Sequence, residues 1–241
     1  MNEKKVYKDF KDIPPREYMY FPKGTVEPSK LGSFSLQEIQ QLTISIVVLS
    51  TAFTFALTGN NLLTGLNEGF NLSKLPIGFV MCLTGVITAF FFHEIAHKIV
   101  AQRHMLWSEY RWYPKGLSAA LLLGLLTPIV FASPGAVMFR GGSRTHETGQ
   151  IAMAGPLANI LTAGVTLFLY LFVFVEDTLL GQITGFICFI NTVIAFFNLL
   201  PLGPLDGIKI IKWNPTVWAI MLIVSTGFLM VVWPKIFTIT L

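Results

Sequence analysis

A long apolar stretch that ends in two histidines and a glutamate constrains this chain more than any other feature. Residues 75–92 are almost entirely apolar, and they run directly into His93-Glu94-Ile95-Ala96-His97. On a helix, residues four apart lie on one face, so His93 and His97 can bind the same metal ion while Glu94 points to the adjacent face. Ionisable groups inside a membrane are costly and need a partner. The pattern therefore predicts a metal ion bound within a membrane helix.

The composition identifies the chain as an integral membrane protein. Of its 241 residues, 53% are hydrophobic and 12% are charged, whereas about a quarter of the residues in a soluble domain are charged. Apolar runs of about 20 residues, the length that crosses a bilayer, predict five membrane helices. These runs lie at 40–58, 76–101, 151–174, 179–200 and 215–234. The predicted fold class is an all-α polytopic membrane protein.

A sixth apolar run, 117–133, is short and is interrupted by prolines, and we predict that it does not cross the membrane. A second acidic motif, Leu205-Asp206-Gly207, follows the fourth predicted helix. For Asp206 to reach a metal held by the second helix, these two helices must be parallel, which requires an odd number of crossings between them. The segment between the second and third helices is therefore predicted to be re-entrant or to lie along the interface. Irregular backbone at that depth is tolerated where protein or a wet cavity surrounds it.

The distribution of positive charge predicts the orientation in the membrane. With five crossings, 15 of the 17 lysines and arginines lie on the side of the N-terminus, and Lys74 and Lys235 lie on the other side. The positive-inside rule places the richer side in the cytoplasm. We therefore expect a cytoplasmic N-terminus, an outer C-terminus and a metal site toward the cytoplasmic face. The basic residues indicate a membrane edge, and no nucleic acid partner is expected.

Asp206 is the best-placed candidate for a third metal ligand. Catalytic zinc takes three protein ligands and leaves the fourth position to water. The other two histidines, His104 and His146, are expected to be solvated, and Glu176 and Asp177 fall in a loop on the opposite side. Asp206 follows a helix that prolines and a glycine interrupt, and a broken membrane helix that carries an acid typically marks a site. The alternative is an ordinary helix end with an interfacial acid.

Two motifs in this order resemble the site-2 proteases, which are intramembrane zinc metalloproteases. They are the His-Glu-x-x-His run at 93–97 and the later run Asn198-x-x-Pro-x-x-x-x-Asp206-Gly. Ala154-Gly-Pro-Leu-Ala-Asn159, at the start of the intervening helix, supports the resemblance, which covers about 75–210 directly. The chain is most similar to archaeal members, and we see no PDZ or CBS domain of the kind that many members carry.

The resemblance implies a zinc site with named roles. His93, His97 and Asp206 are expected to bind one zinc ion per chain, and Glu94 is expected to be the general base. Zinc lowers the pKa of its bound water to about 7, and the base takes a proton from this water and returns it to the leaving amine. Asn198 matches a family residue that faces the metal, where an amide can stabilise an oxyanion. Capping of the broken helix is the alternative role for Asn198.

The resemblance also predicts where a substrate binds. Family members carry a strand hairpin near the zinc, and the segment 134–139 is extended in character. A β-hairpin-like segment is thus expected between the second and third helices. We predict that Gly135, Ala136 and Val137 bind substrate, which would pair with them as an added strand.

The leading hypothesis is a zinc-dependent intramembrane endopeptidase that cleaves peptide bonds in or next to transmembrane segments, as in regulated intramembrane proteolysis. Residues 1–35 are assigned to a cytoplasmic N-terminal segment and 36–241 to a transmembrane metalloprotease domain with its core at 75–210. The expected partners are a membrane protein with a transmembrane helix and the lipid bilayer.

Two other functions remain as alternatives. A membrane metal-ion transporter needs ionisable groups spread along a route, whereas this chain concentrates them at one place, which favours a fixed metal. A non-catalytic homologue that only binds membrane helices ranks lower, because all the expected catalytic residues are present.

Overall fold

The structure is a computed structural model that describes residues 29–131, 134–140, 144–174 and 178–236. Most of the predicted N-terminal segment 1–35 lies outside the described residues, and so do Glu176 and Asp177 of the predicted outer loop. The boundary between the N-terminal segment and the membrane domain therefore stays a prediction.

Helices make up most of the described chain, with one two-stranded antiparallel sheet between them. The helices are α1 (Leu36–Leu57), α2 (Leu62–Glu68), α3 (Leu75–Val86), α4 (Phe92–Arg103), α5 (Pro114–Leu126), α6 (Thr145–Phe172), α7 (Leu179–Leu199), α8 (Asp206–Trp213) and α9 (Pro215–Ile236). The strands are β1 (Trp107–Trp112) and β2 (Gly135–Arg140). A short 3₁₀ turn, Leu72–Lys74, precedes α3, and a π-helical turn, Ile87–Phe91, joins α3 to α4.

Five helical segments of the described chain are long and apolar enough to cross a membrane. They are Leu36–Glu68, Leu72–Arg103, Thr145–Phe172, Leu179–Leu199 and Pro215–Pro234. These segments match the five predicted spans, so the predicted fold class is confirmed. The first three begin earlier than predicted, and polar residues precede the apolar run at the first and third. Ser35 caps α1 by accepting the backbone N–H of Glu38 at 3.2 Å, and Glu147 accepts the N–H of Arg144 at 2.8 Å beside α6.

The sixth apolar run forms the short helix α5, after which the chain returns to a point beside the start of this helix. α5 has 13 residues, which is about 20 Å of helix. Tyr113, just before α5, donates its N–H to the carbonyl of Pro134, just before β2, at 2.8 Å. α5 packs closely on α1, since a Cβ on Gly124 would lie 2.3 Å from the carbonyl oxygen of Ala52. This segment and the β1–β2 hairpin form the predicted feature between the second and third spans.

The order of contacts along the helices fixes their relative directions. His97 contacts Ile151 and His93 contacts Asn159, so α6 runs antiparallel to α4. Asn191 on α7 donates to Thr88, just before α4, and Asp206, beyond the end of α7, reaches His97, so α7 runs back parallel to α4. The odd number of crossings between the two motifs therefore agrees with the described structure.

Candidate metal centre

His93, His97 and Asp206 lie together in the interior, and each offers one ligand atom. The two histidine Nε2 atoms are 2.9 Å apart, and Asp206 Oδ2 lies 3.5 Å from that of His93 and 3.0 Å from that of His97. All three residues are buried. A tetrahedral ion with bonds of about 2.0–2.1 Å places its ligand atoms about 3.3 Å apart. Two imidazole nitrogens and a carboxylate oxygen at these separations fit zinc.

The outer nitrogen of His93 is held by a buried asparagine. His93 Nδ1 lies 2.5 Å from Asn159 Oδ1, and the Asn159 amide donates to the carbonyl of Ala89 and to Asn191 Oδ1, each at 2.9 Å. Ala89 belongs to the π-helical turn just before His93, and such turns occur frequently at functional sites. Because Asn159 Oδ1 accepts a hydrogen bond, Nδ1 of His93 carries the proton and Nε2 offers its lone pair to a metal.

The outer nitrogen of His97 is held in the same way by a backbone group. His97 Nδ1 lies 2.6 Å from the carbonyl oxygen of Ile151 on α6. A carbonyl only accepts hydrogen bonds, so the proton of His97 is also on Nδ1 and its Nε2 faces the site. Both imidazoles are therefore oriented by α6 before any metal binds.

Replacement of Asn159 by Leu is expected to weaken zinc binding about 10- to 100-fold, the usual effect of losing such an outer hydrogen bond. The fold of α6 should survive because Leu has nearly the same size and is a good helix former. Zinc affinity is measured by competition with a chelator.

Asn67→Leu is the matched control for this variant, because Asn67 is exposed on α2. An unchanged zinc affinity in Asn159→Leu would contradict the role of Asn159.

Gly155 has no side chain and so leaves open space beside the two imidazoles. A Cβ at this position would lie 2.3 Å from His97 Nε2 and 2.6 Å from His93 Nε2. Any side chain at position 155 would thus collide with the atoms that bind the metal. Glycine at 155 therefore lets α6 lie close against the metal-binding helix α4.

Asp206 is brought to the site by the break between α7 and α8. α7 ends at Leu199 and α8 begins at Asp206, and a Cβ on Gly207 would lie 2.2 Å from the carbonyl oxygen of Leu199. Glycine at 207 thus permits the close return of the chain. Lys209 Nζ donates to Asp206 Oδ1 at 3.0 Å. A positive charge at this distance favours the ionised carboxylate, which is the form that binds a metal.

Glu94 lies on α4 between the two histidines but faces the hairpin. It is buried, and its Oε2 accepts the backbone N–H of Val137 on β2 at 2.8 Å. A cavity of about 290 Å³ opens beside it. Every residue predicted for the site lines this cavity: His93, Glu94, His97, Gly135, Ala136, Val137, Asn198 and Asp206.

Asn198 lines the same cavity near the end of α7, where its side chain bonds within the helix. Its Nδ2 donates to the carbonyl of Ile194 at 3.0 Å. This contact lies one turn back along α7 and does not cap the break that follows. An amide nitrogen has two N–H groups, so Nδ2 has one N–H besides the one that donates to Ile194.

The two remaining histidines lie away from the metal ligands. The rings of His104 and His146 are 6.1 Å apart, and His146 is 6.3 Å from the ring of Trp213. Within the described ranges, the group that could hold a metal consists of His93, His97 and Asp206. The side chain of His104 is partly exposed and that of His146 is exposed.

Lys98, one of the positive charges counted on the side of the N-terminus, lies in the interior of the protein. Its side chain is 1% exposed and pairs with that of Glu38, which is 0% exposed. Lys98 is buried because it lies one helical turn after Glu94, on the same face of α4. An acid at the start of the membrane-spanning helix α1 is the signal in the sequence that could have revealed a buried partner.

Comparison with known proteins places the chain in a class. The fold and the site define a membrane protein with a zinc-type metal centre beside a buried glutamate. A protein of Methanocaldococcus jannaschii named "Putative zinc metalloprotease MJ0611" is 37% identical to the chain over 198 residues, which are 82% of the chain and 95% of that protein. The chain therefore belongs to this zinc metalloprotease family. No protein-family model matches the chain, and no solved structure matches it significantly.

Proposed function

We propose that the protein is an intramembrane zinc endopeptidase of the site-2 type, which hydrolyses peptide bonds in or next to transmembrane segments of membrane proteins. The observation that carries this proposal is the position of Glu94. It stands between two metal-ligating histidines on a membrane helix and bonds to the edge of an extended strand. We assign residues 36–241 to this protease domain, with one zinc ion per chain.

The chain's own residues divide the chemistry among them. His93, His97 and Asp206 would hold zinc, and zinc bound there would supply a Lewis acid that activates water and polarises a carbonyl group. Glu94 accepts a proton from the attacking water and delivers it to the leaving amine. The second N–H of Asn198 Nδ2 donates to the oxygen on which negative charge develops.

The outer edge of β2 is the proposed binding site for the substrate backbone. Polar side chains cover the outer edge of β1, where its backbone groups bond to Ser29, Glu38, Gln41 and Lys98. The outer edge of β2 faces the cavity, where Gly135, Ala136, Val137 and Phe139 line it. An unwound substrate segment that pairs with β2 satisfies its own backbone groups inside the membrane.

The cavity suits an apolar substrate. Away from the metal ligands, its wall is made of apolar side chains from three membrane-spanning segments: Leu49, Phe53, Val86, Phe90, Ile190 and Ile194. Apolar walls favour apolar side chains at about 25 cal/mol per Å² of surface removed from contact with water. A segment taken from a transmembrane helix supplies such side chains, which supports a membrane-protein substrate.

A metal-ion transporter is the alternative that the structure supports less well. Transport requires several metal-binding groups along a route. In the part of the chain that the structure describes, the group with suitable geometry is the single cluster formed by His93, His97 and Asp206. One buried cluster with oriented ligands suits a resident metal.

Reconstitution tests the proposed function directly. The purified protein, in liposomes with a single-span membrane substrate, should give two products whose new ends map within or next to the span by mass spectrometry. Zinc flux into the same liposomes should equal that of protein-free liposomes. An intact substrate together with a zinc flux that depends on the protein would refute the protease and support the transporter.

We further propose that the N-terminus and the metal site face the cytoplasm. Ser73, in the turn before α3, and Thr145, at the start of α6, are both exposed. On a background in which Cys82 and Cys188 are buried, a membrane-impermeant maleimide should label Ser73→Cys in intact cells. Thr145→Cys should react only after permeabilisation. The reverse pattern would invert the orientation, and labelling of both from one side would contradict the crossing of the second span.

A further inference from the structure

Glu38 and Lys98 form an ion pair in the interior that the proposed chemistry does not use. Lys98 Nζ lies 2.8 Å from Glu38 Oε2, and the two side chains are 1% and 0% exposed. A buried ion pair is weak evidence for stability, because desolvation of both charges offsets their attraction. Because Lys98 lies on the metal-binding helix α4, the pair is well placed to hold neighbouring parts of the chain in position.

Both members of the pair also bond to the backbone of β1. Glu38 Oε1 accepts the N–H of Tyr110 at 2.9 Å, and Lys98 Nζ donates to the carbonyl of Ser108 at 2.8 Å. Ser108 and Tyr110 are two residues apart, so these groups point to the same edge of β1. The ion pair therefore holds the outer edge of the hairpin.

Glu94 bonds to the opposite edge of the hairpin, at the cross-strand residue pair (rung) that includes Tyr110. Its Oε2 accepts the N–H of Val137 at 2.8 Å, and Val137 is the register partner of Tyr110. The two N–H groups of this rung thus point away from each other, one toward Glu38 and one toward Glu94. Glu94 and Lys98 lie one turn apart on α4, so the same helix contacts both strands.

We infer that Glu38 and Lys98 are positioning residues. They hold the β1–β2 hairpin at a fixed position relative to Glu94, and they thereby position the edge of β2 that receives substrate. A two-stranded ribbon is marginally stable alone, so its position depends on such contacts. The link to substrate rests on the proposed function, whereas the coupling of the two edges does not.

Two double variants separate the charge of the pair from its hydrogen bond. Glu38→Gln/Lys98→Met and Glu38→Leu/Lys98→Met both remove the two charges, and they differ in whether residue 38 can accept the N–H of Tyr110. The first readout is hydrogen–deuterium exchange, resolved at Tyr110 and Val137, on the zinc-loaded protein without substrate. The second is kcat/KM on a membrane substrate. Lys115→Met, at an exposed lysine, is the matched control for Lys98→Met.

The Gln/Met variant loses the bond from Lys98 to Ser108 but keeps an acceptor for Tyr110, so exchange at both amides should rise, and kcat/KM should fall, by about threefold. The Leu/Met variant should exchange about tenfold faster than the Gln/Met variant at both amides and lose a further tenfold or so in kcat/KM, the effect of one more lost buried hydrogen bond. Zinc content should be unchanged in both. Faster exchange at Tyr110 with Val137 unchanged would overturn the inference, because Glu38 would then act only locally.

Glu38→Asp provides the same test if the Leu/Met variant does not fold. It keeps the charge and shortens the acceptor by one methylene, so exchange at Tyr110 and Val137 should rise together by about two- to fivefold. A rise at Tyr110 alone, or at neither amide, would again refute the coupling. If the unmodified protein cleaves no membrane substrate while the two amides still respond together, the proposed function fails and the coupling stands.

Discussion

Glu94→Gln is expected to reduce peptide hydrolysis by about 10²- to 10⁴-fold, the usual contribution of a general base. Gln has nearly the same shape, and its side-chain oxygen can still accept the N–H of Val137. His93, His97 and Asp206 are unchanged, so zinc should remain bound at the level of the unmodified protein. Initial rates on a reconstituted membrane substrate, with zinc content measured on the same samples, check both parts of this expectation.

Glu68→Gln is the matched control for that variant, since Glu68 is exposed at the end of α2. It should cleave at the normal rate. If the Glu94→Gln protein retains zinc and also cleaves normally, Glu94 is not the general base. Loss of zinc from Glu94→Gln would instead indicate that Glu94 belongs to the metal ligands.

Gly155→Ala is expected to lower zinc affinity and hydrolysis by about 10- to 100-fold, since overpacking a tight interior costs about 1–3 kcal/mol. The added methyl group would lie 2.3 Å from His97 Nε2 and 2.6 Å from His93 Nε2. Alanine is a better helix former than glycine, so α6 itself should gain stability. A chelator competition assay measures the affinity.

Gly164→Ala makes the same change on the same helix without the collision. Its added Cβ would meet Phe228 at an ordinary contact distance of 3.6 Å, so zinc affinity should be unchanged. Equal affinities for the Gly155→Ala and Gly164→Ala proteins would show that the space beside the histidines has no role in metal binding.

The spans and the metal-binding motifs could be predicted because their signals are local. A bilayer demands a run of about 20 apolar residues, and a metal that binds two histidines on one helix face requires the spacing of His93 and His97. The parallel direction of α4 and α7 followed from one further condition, that Asp206 must share the site. Crossing parity then identified α5 and the hairpin as the part that does not traverse the membrane.

The groups that orient the ligands could not be predicted because they come from distant parts of the chain. Asn159 reaches His93 across 66 positions and the Ile151 carbonyl reaches His97 across 54. A backbone carbonyl leaves no mark in a sequence, and a small polar residue in an apolar helix is equally consistent with packing. The burial of Lys98 could not be predicted for a similar reason, since its partner Glu38 lies 60 positions away.

A zinc-edge anomalous difference map from crystals of the zinc-loaded protein shows whether His93, His97 and Asp206 bind one ion. We expect a single strong peak for each chain, within about 2.0–2.2 Å of His93 Nε2, His97 Nε2 and a carboxylate oxygen of Asp206. A peak bonded elsewhere, or crystals of zinc-loaded protein with Asp206 turned away from the ion, would contradict this metal site.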